Sequence, residues 1–452
     1  MSASHAHGGL PGSITDVGAG WPAWSEVAEV MLLRGGYNTT VVVVGTTLLG
    51  VAAGIVGVFA LLRKRSLTAD ALSHATLPGM AVVVIAATLL GGDAQNLPLV
   101  LLGATVTGVL GVLCIQAILR YTRLQEDAAI GLVLSVFFGA GAVLLSLIQS
   151  MPGAQAGGLE HFIYGQTAAM NAGDARLMGG IALAAVLAAT LLLKEFALVC
   201  FNDAFAEVDG WPVTRIDLLM LALVVVVTVA GLQAVGLILV VAMLIIPPVA
   251  ARFWTDRLWR LVVLAAVIGG LCGYLGAATS ALLPRKPAGS VIVLTGGVLF
   301  LISLLFAPRR GVLAAGVRRV RLRLRIAADH LLELAFLGGG DAVGAAELAR
   351  LRRRRGWRWW LRPMLGWHLR RRGLGRFVDG GFVASAAGLR RGRTVCRNHR
   401  LWEQYLVSYA EVAPSHLDWT VDQVEHVLGD ELIDELETSL RQRGIDPRGV
   451  AV

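Results

Sequence analysis

The sequence predicts an all-α protein that crosses a membrane several times and ends in a separate region of different composition. Three observations point there. Of 452 residues, 56% are hydrophobic and 16% charged, the balance of a polytopic membrane protein rather than a soluble globular one. Apolar runs close to the roughly 20 residues needed to cross about 30 Å of hydrocarbon recur along the first two thirds of the chain. Charge is unevenly placed: residues 1–308 carry 14 Lys+Arg against 15 Asp+Glu, whereas residues 309–452 carry 26 against 16.

Residues 1–39 contain Gly, Pro and Trp but no basic stretch leading into an apolar one. They read as an extracytoplasmic N-terminal segment rather than a cleavable signal, with His5 and His7 in its polar tail. Apolar runs then fall near 40–62, 68–91, 97–119, 128–149, 177–193, 215–233, 235–251, 259–283 and 289–307. These give nine spans within a membrane domain at 40–308, or eight if the stretch 215–251 divides differently. Arg63-Lys64-Arg65, Arg120 with Arg123, Lys194, Arg252 with Arg257 and Arg260, and Arg309-Arg310 lie at alternate loops. Cytoplasmic loops concentrate basic residues, so the N-terminus is expected outside and the C-terminus in the cytoplasm. Glycines inside the runs, such as Gly45, Gly50, Gly54 and Gly57 or Gly103, Gly108 and Gly111, suit close helix packing in lipid. Cys114, Cys200, Cys272 and Cys396 form no CxxC pair, which indicates neither a disulfide framework nor a zinc ribbon.

The most informative stretch is Thr68-Ala-Asp70-Ala-Leu-Ser73-His74-Ala-Thr-Leu-Pro78-Gly79. It places an acid and an imidazole at i and i+4, on one helix face, near the start of an apolar span. Ionisable residues at such depth are costly and mark pathways or partnered sites. One oxygen and one nitrogen ligand suit borderline divalent metals such as Mn, Fe or Zn. The alternative is an Asp–His hydrogen bond that ties two helices together. Pro78 removes a backbone donor, so the helix is expected to kink or break one turn past His74.

Four ordered blocks resemble the metal-type ABC permeases. They are Ser66-Leu-Thr-Ala-Asp70-Ala-Leu-Ser-His74-Ala; Gln125-Glu126-Asp127-Ala-Ala-Ile-Gly131; the run from Gly231 through Pro247-Pro248 to Arg252; and Pro287-Ala-Gly-Ser-Val-Ile-Val-Leu followed by the run from Leu301 to Pro308-Arg309-Arg310-Gly311. The resemblance implies a multi-pass permease subunit of an importer in the bacterial plasma membrane, not an enzyme, with Asp70 and His74 as ligands along the path of Mn2+, Zn2+ or Fe2+. It further implies an extracytoplasmic metal-binding lipoprotein, a second permease copy or paralogue, and no permanently bound cofactor. Residues 200–213 are similar to the family's ATPase-docking segment, which assigns that contact to Asn202, Asp203, Phe205, Ala206 and Gly210. Asn202 stands where Asp is usual, and both residues cap helices. No GxxxxGK[ST] occurs in the chain, so a separate cytoplasmic ABC ATPase subunit is required to supply the energy. Glu160 with His161, and Arg285 with Lys286, read as residues of outer loops.

Past Pro308 the chain turns basic and then acidic: residues 309–400 hold 23 Arg and five acids, residues 401–452 three Arg and eleven acids. A basic juxtamembrane linker is expected at 309–327, against anionic membrane lipid. Arg397-Asn398-His399-Arg400-Leu401-Trp402-Glu403 and Val424-Glu425-His426-Val427-Leu428-Gly429-Asp430 are similar to the metal-dependent repressors of the diphtheria-toxin-repressor type. By that resemblance residues 328–395 are expected as a degenerate winged-helix region and 396–452 as dimerisation and metal-binding helices. That resemblance implies a regulatory divalent-metal site formed by His330, Glu333, His399, Asp422, Glu425 and His426. Around Trp357 to Gly366 a proline and a glycine interrupt the expected recognition helix, so DNA is not expected as a partner. Two other readings remain open: a membrane-tethered metal-responsive regulator, and an ion-coupled secondary metal carrier. The few acids in the spans weigh against the second.

Overall fold

In hydrocarbon a backbone amide has no water to bond, so each apolar run must close its hydrogen bonds within itself as a helix. The computed structural model describes residues 24–63, 66–90, 96–151, 172–283, 288–339, 342–357, 361–409 and 430–442, and the chain divides after Ala314 into two units. The first unit is helical: α1 (Trp24–Met31), α2 (Tyr37–Leu62), α3 (Ser66–Ala75), α4 (Leu77–Leu89), α5 (Leu97–Tyr121), α6 (Glu126–Ser150), α7 (Ala172–Leu191), α8 (Leu193–Phe201), α9 (Asp203–Val208), α10 (Val213–Val235), α11 (Leu237–Arg252), α12 (Leu258–Leu282) and α13 (Ala288–Phe306). Among the described residues, eight stretches are long and apolar enough to span a membrane, α3 and α4 together forming one of them.

The ninth run expected at 235–251 forms α11, whose 16 residues extend about 24 Å at roughly 1.5 Å per residue. That is short of the roughly 30 Å of a bilayer's hydrocarbon core. Gly236, with φ of 88°, closes α10 and α11 into a hairpin. Nearby, Gly231 packs on Val240 and on Leu49, the middle of α2. The hairpin therefore turns within the thickness that α2 spans, which is why an unbroken apolar sequence yields one full span and one partial one.

The axis of this unit is α2, with 72% of its apolar stretch buried against 22% for each of α6, α7 and α13, which lie outside it. Lipid offers helices no hydrophobic drive to associate, so close van der Waals packing must do it. A Cβ at Gly50 would meet the Gly269 carbonyl, one at Gly54 that of Ala265, and one at Gly273 that of Thr46. Facing GxxxG spacings on α2 and α12 thus place backbone against backbone, and the Thr46 hydroxyl adds a 3.2 Å bond to the Gly273 oxygen. Gly57 meets the carbonyl of Leu244. Pro248 is the residue whose N–H would have served that carbonyl in a regular helix, so the glycine packs where the proline leaves an acceptor exposed.

In the second unit, α14 (Val312–Leu337) is followed by β1 (Ala342–Val343), α15 (Ala345–Arg354), α16 (Leu361–Arg371), β2 (Gly375–Val378), β3 (Gly381–Ala384), α17 (Ala386–Tyr409) and α18 (Asp430–Gln442). From Val312 on, the expected linker is helix. The strands form an antiparallel sheet in the order β1-β3-β2, consistent with a winged helix. Asp379 and Gly380 both have positive φ, as a two-residue type I′ hairpin turn requires. Leu331, Leu332, Leu365, Leu369 and Phe382 build its core. The expected interruption near Pro363 and Gly366 is corrected: α16 is a continuous helix. Pro363 lies in its first turn, where a missing N–H breaks no helical bond.

The glycine contacts predict that Gly50→Val, which must push α2 from α12, lowers stability by about 1–3 kcal/mol, the usual cost of overpacking. Gly131→Ala in α6, where an added Cβ meets nothing within 4 Å, should be neutral or stabilising. Thermal denaturation of the two purified variants checks this, and equal melting temperatures would contradict it.

Candidate functional site

Asp70 and His74 sit one turn apart on α3, with His74 Nε2 3.8 Å from Asp70 Oδ1. Both belong to one helix, and the gap is too long for a hydrogen bond, so the pair does not tie two helices together. Ions such as zinc bind nitrogen and oxygen at about 2.0–2.2 Å, and one ion fits between two ligand atoms at this spacing. Ser73 and Thr76 are buried, whereas about half of the Asp70 side chain is exposed. The His74 ring packs edge-on against Phe138 of α6 at 5.2 Å, which fixes its plane. Its Nδ1 is buried and lacks a hydrogen-bond partner.

Helix α3 ends at Ala75 and α4 begins at Leu77. The break thus falls two residues past His74, slightly before the expected turn. Pro78 removes the N–H that would have bonded the His74 carbonyl. Gly141 of α6 lies against Leu77 and Pro78, so the break is packed rather than loose. Among the described residues, no group of three or more His, Cys, Asp and Glu is placed to hold a metal ion. The pair by itself offers one carboxylate and one imidazole.

A second cluster was not legible in the sequence. Arg63, just past α2, donates from Nε to Asp217 Oδ1 at 3.0 Å, and from Nη1 to Asp203 Oδ2 at 3.2 Å and the Val199 carbonyl at 3.1 Å. Gln116 of α5 donates to the other Asp217 oxygen at 3.2 Å. One guanidinium therefore joins the ends of α2, α8, α9 and α10, and Asp217 brings in α5. Asp217 is only 5% exposed, so these bonds answer its desolvation. The one signal available was Asp217 itself, an acid inside an apolar run.

Residues 200–213 join this cluster through Asp203. Asn202 caps α9 as expected, accepting from the Phe205 N–H at 3.0 Å. Ala206 is buried while Phe205 and Val208 stand exposed, and Gly210 takes φ of 84° to turn the chain toward α10. Hydrogen bonding from Arg63 holds the Asp203 carboxyl below its ordinary value. Its stabilising effect is therefore complete above the unfolded carboxylate pKa and is lost as pH falls through the lowered folded one.

In the second unit His330, Glu333 and His399 lie near one another without forming a group placed to hold a metal ion. One Glu333 oxygen is 3.8 Å from His330 Nδ1 and the other 4.0 Å from His399 Nδ1. Asp422, Glu425 and His426 lie outside the described residues, as do Glu160, His161, Arg285, Lys286, His5 and His7. Alongside, Arg397 of α17 pairs with Glu437 of α18.

These features define a polytopic helical membrane permease with an intramembrane acid–imidazole pair and a winged-helix C-terminal unit. The chain belongs to the ABC 3 transport family, which it matches over residues 37–307. Residues 385–451 match the iron dependent repressor, metal binding and dimerisation domain. The chain is 37% identical over 383 residues to the manganese transport system membrane protein MntC of Bacillus subtilis, covering 83% of this chain and 86% of that one. That likeness is too long to end with the membrane helices. It is 41% identical to the zinc transport system membrane protein TroC of Treponema pallidum, over 65% of this chain and 97% of that one. Among solved structures it resembles PsaBC from Streptococcus pneumoniae in complex with Fab, with a TM-score of 0.55 and 31% identity, over 63% of this chain and 97% of that one.

Breaking the Arg63–Asp217 pair should be costly, because it leaves a buried charge short of its counter-ion. Arg63→Gln is expected to destabilise the protein by about 3 kcal/mol, and adding Asp217→Asn should recover part of that loss. A double-mutant cycle of unfolding midpoints measures the coupling; additive effects would rule it out.

Proposed function

We propose that this chain is the permease subunit of an ABC importer for a divalent transition metal, manganese or zinc in the first place and iron by ligand chemistry. The observation that carries the reading is the Asp70–His74 pair: mixed oxygen and nitrogen ligands on a broken intramembrane helix, with a buried imidazole nitrogen unpartnered. The named cargoes of the relatives agree with it. Two ligands are fewer than these ions take, so a second permease copy or paralogue completes the path with its own pair.

The end of the first unit that gathers Arg63, Asp203 and Asp217 also holds Arg309 and Arg310, which pair with Asp256. By the positive-inside rule this end faces the cytoplasm. A separate ATPase docks there on α9 through exposed Phe205 and Val208, and Arg63 passes its movement to α2, α5 and α10. A metal-binding lipoprotein delivers the ion from the other side. Alternating access follows as these helices rock about the pair.

In the second unit we assign His330, Glu333 and His399 to one side of a metal-sensing site, with Asp422, Glu425 and His426 as its remaining ligands. The regular α16 removes one objection to DNA binding. A sequence-specific footprint by the full chain would favour the tethered-regulator reading over transport control.

Asp70→Ala is expected to cut uptake of radiolabelled manganese and zinc into cells at least about tenfold, the lower end of what disturbing even a ligand's outer partners usually costs. Its membrane abundance should stay normal, and undiminished uptake would remove the pair from the path. Independently, Glu333→Ala should reduce the manganese retained by the purified full chain, read by electron paramagnetic resonance. An unchanged metal content counts against the sensing site.

A further inference from the structure

The second unit holds a cationic cavity that neither transport nor metal sensing uses. It measures about 340 Å³ and is lined by Arg325 and Asp329 of α14, His368 of α16, Arg372 just beyond it, and Arg391 of α17, with Ala328 and Leu374 at its apolar side. That volume sits at the lower end of the roughly 300–1,000 Å³ of small-molecule pockets.

Its charges are arranged rather than merely numerous. Asp329 is 3% exposed and accepts a two-pronged ion pair from Arg391, Nε at 3.1 Å and Nη2 at 3.2 Å. This pairing cancels one positive charge and fixes the Arg391 guanidinium, whose Nη1 has no protein partner among the described residues. No carboxylate pairs with Arg325 or Arg372 among those residues. Two net positive charges and a fixed guanidinium edge therefore face one small concavity. Guanidinium groups match the paired oxygens of tetrahedral oxyanions, which they bind by charge-assisted, often two-pronged bonds.

We propose that this cavity binds a free tetrahedral dianion of the phosphate class, either inorganic phosphate or the phosphate group of a small metabolite. Arg325 and Arg372 supply the charge, and Arg391, held by Asp329, supplies oriented donors. His368 completes the wall. Burial, and after it the neighbouring Arg372, outweighs the opposing pull of Asp329 and holds its pKa below the ordinary 6.5, so it is neutral in the empty pocket at neutral pH. A bound dianion favours its charged form and raises that pKa, and by linkage the anion binds more tightly as pH falls through this range.

Isothermal titration of the full chain in detergent with sulfate tests this, because sulfate stays a dianion across the range where phosphate titrates. Inorganic phosphate is run beside it at fixed ionic strength. Arg372→Gln and Arg325→Gln, both at exposed positions, are each expected to weaken sulfate about tenfold, the scale of one hydrogen bond to a charged group. Arg353→Gln, outside the cavity, should change nothing, and His368→Gln should flatten the rise in affinity at low pH. Three results overturn the proposal: no binding of either free anion, an equal loss in Arg353→Gln and Arg372→Gln, or binding only to vesicles of phosphatidic acid.

Discussion

Gly50, Gly54 and Gly57 let α2 lie backbone to backbone against α12 and α11, and the geometry of the membrane unit follows from that contact. In lipid, burying an apolar side chain against another helix gains little over leaving it among acyl chains, so the approach distance decides which helices associate. With α2 held in the interior, its far end brings Arg63 to the junction of α8, α9 and α10. The same contact explains the unusual chemistry of α11. Two consecutive prolines strip that helix of donors, and a helix with exposed carbonyls is tolerable at membrane depth only where protein covers them. Gly57 supplies that cover.

From this frame the functional parts take their places by covalent reach. Helix α3 begins within four residues of the end of α2, so Asp70 lies near the Arg63 cluster along the chain, and the break after Ala75 ends the segment that carries the pair. Hydrogen bonds join α9 to Arg63 through Asp203, and Arg63 to α10 and α5 through Asp217 and Gln116. A guanidinium with a fixed fork of donors suits such a junction better than an ammonium, since it holds two carboxylates and a carbonyl in defined directions at once.

Much of this was legible in the sequence, for definite reasons. Membrane helices announce themselves because hydrocarbon forbids other backbones. Asp70 and His74 stood out because ionisable side chains are costly there. What escaped was whatever depended on distance between remote segments. Arg63 read only as a marker of sidedness, since its partner Asp217 is 154 residues away. The length of α11 escaped because Gly236 sits within continuous apolar sequence and the turn it makes leaves no polar trace. In the second unit, Pro363 was weighed by its presence and not by its position, and in a first helical turn position decides. Asp379-Gly380, by contrast, is a strong hairpin signal in the sequence itself.

Two metal-handling sets on one chain, as proposed, face opposite physical demands. Conduction needs an ion to enter and also to leave, so ligands in a path must be few, exposed and shared. Asp70 and His74 fit, with half of the carboxylate side chain open and no third ligand among the described residues. Sensing needs occupancy to persist, so its ligands should be more numerous and better shielded from water. His330 is 5% exposed, and Glu333 lies between it and His399. In the proposed scheme similar ligand chemistry serves release in one place and retention in the other. The difference lies in burial and coordination number rather than in the choice of residues.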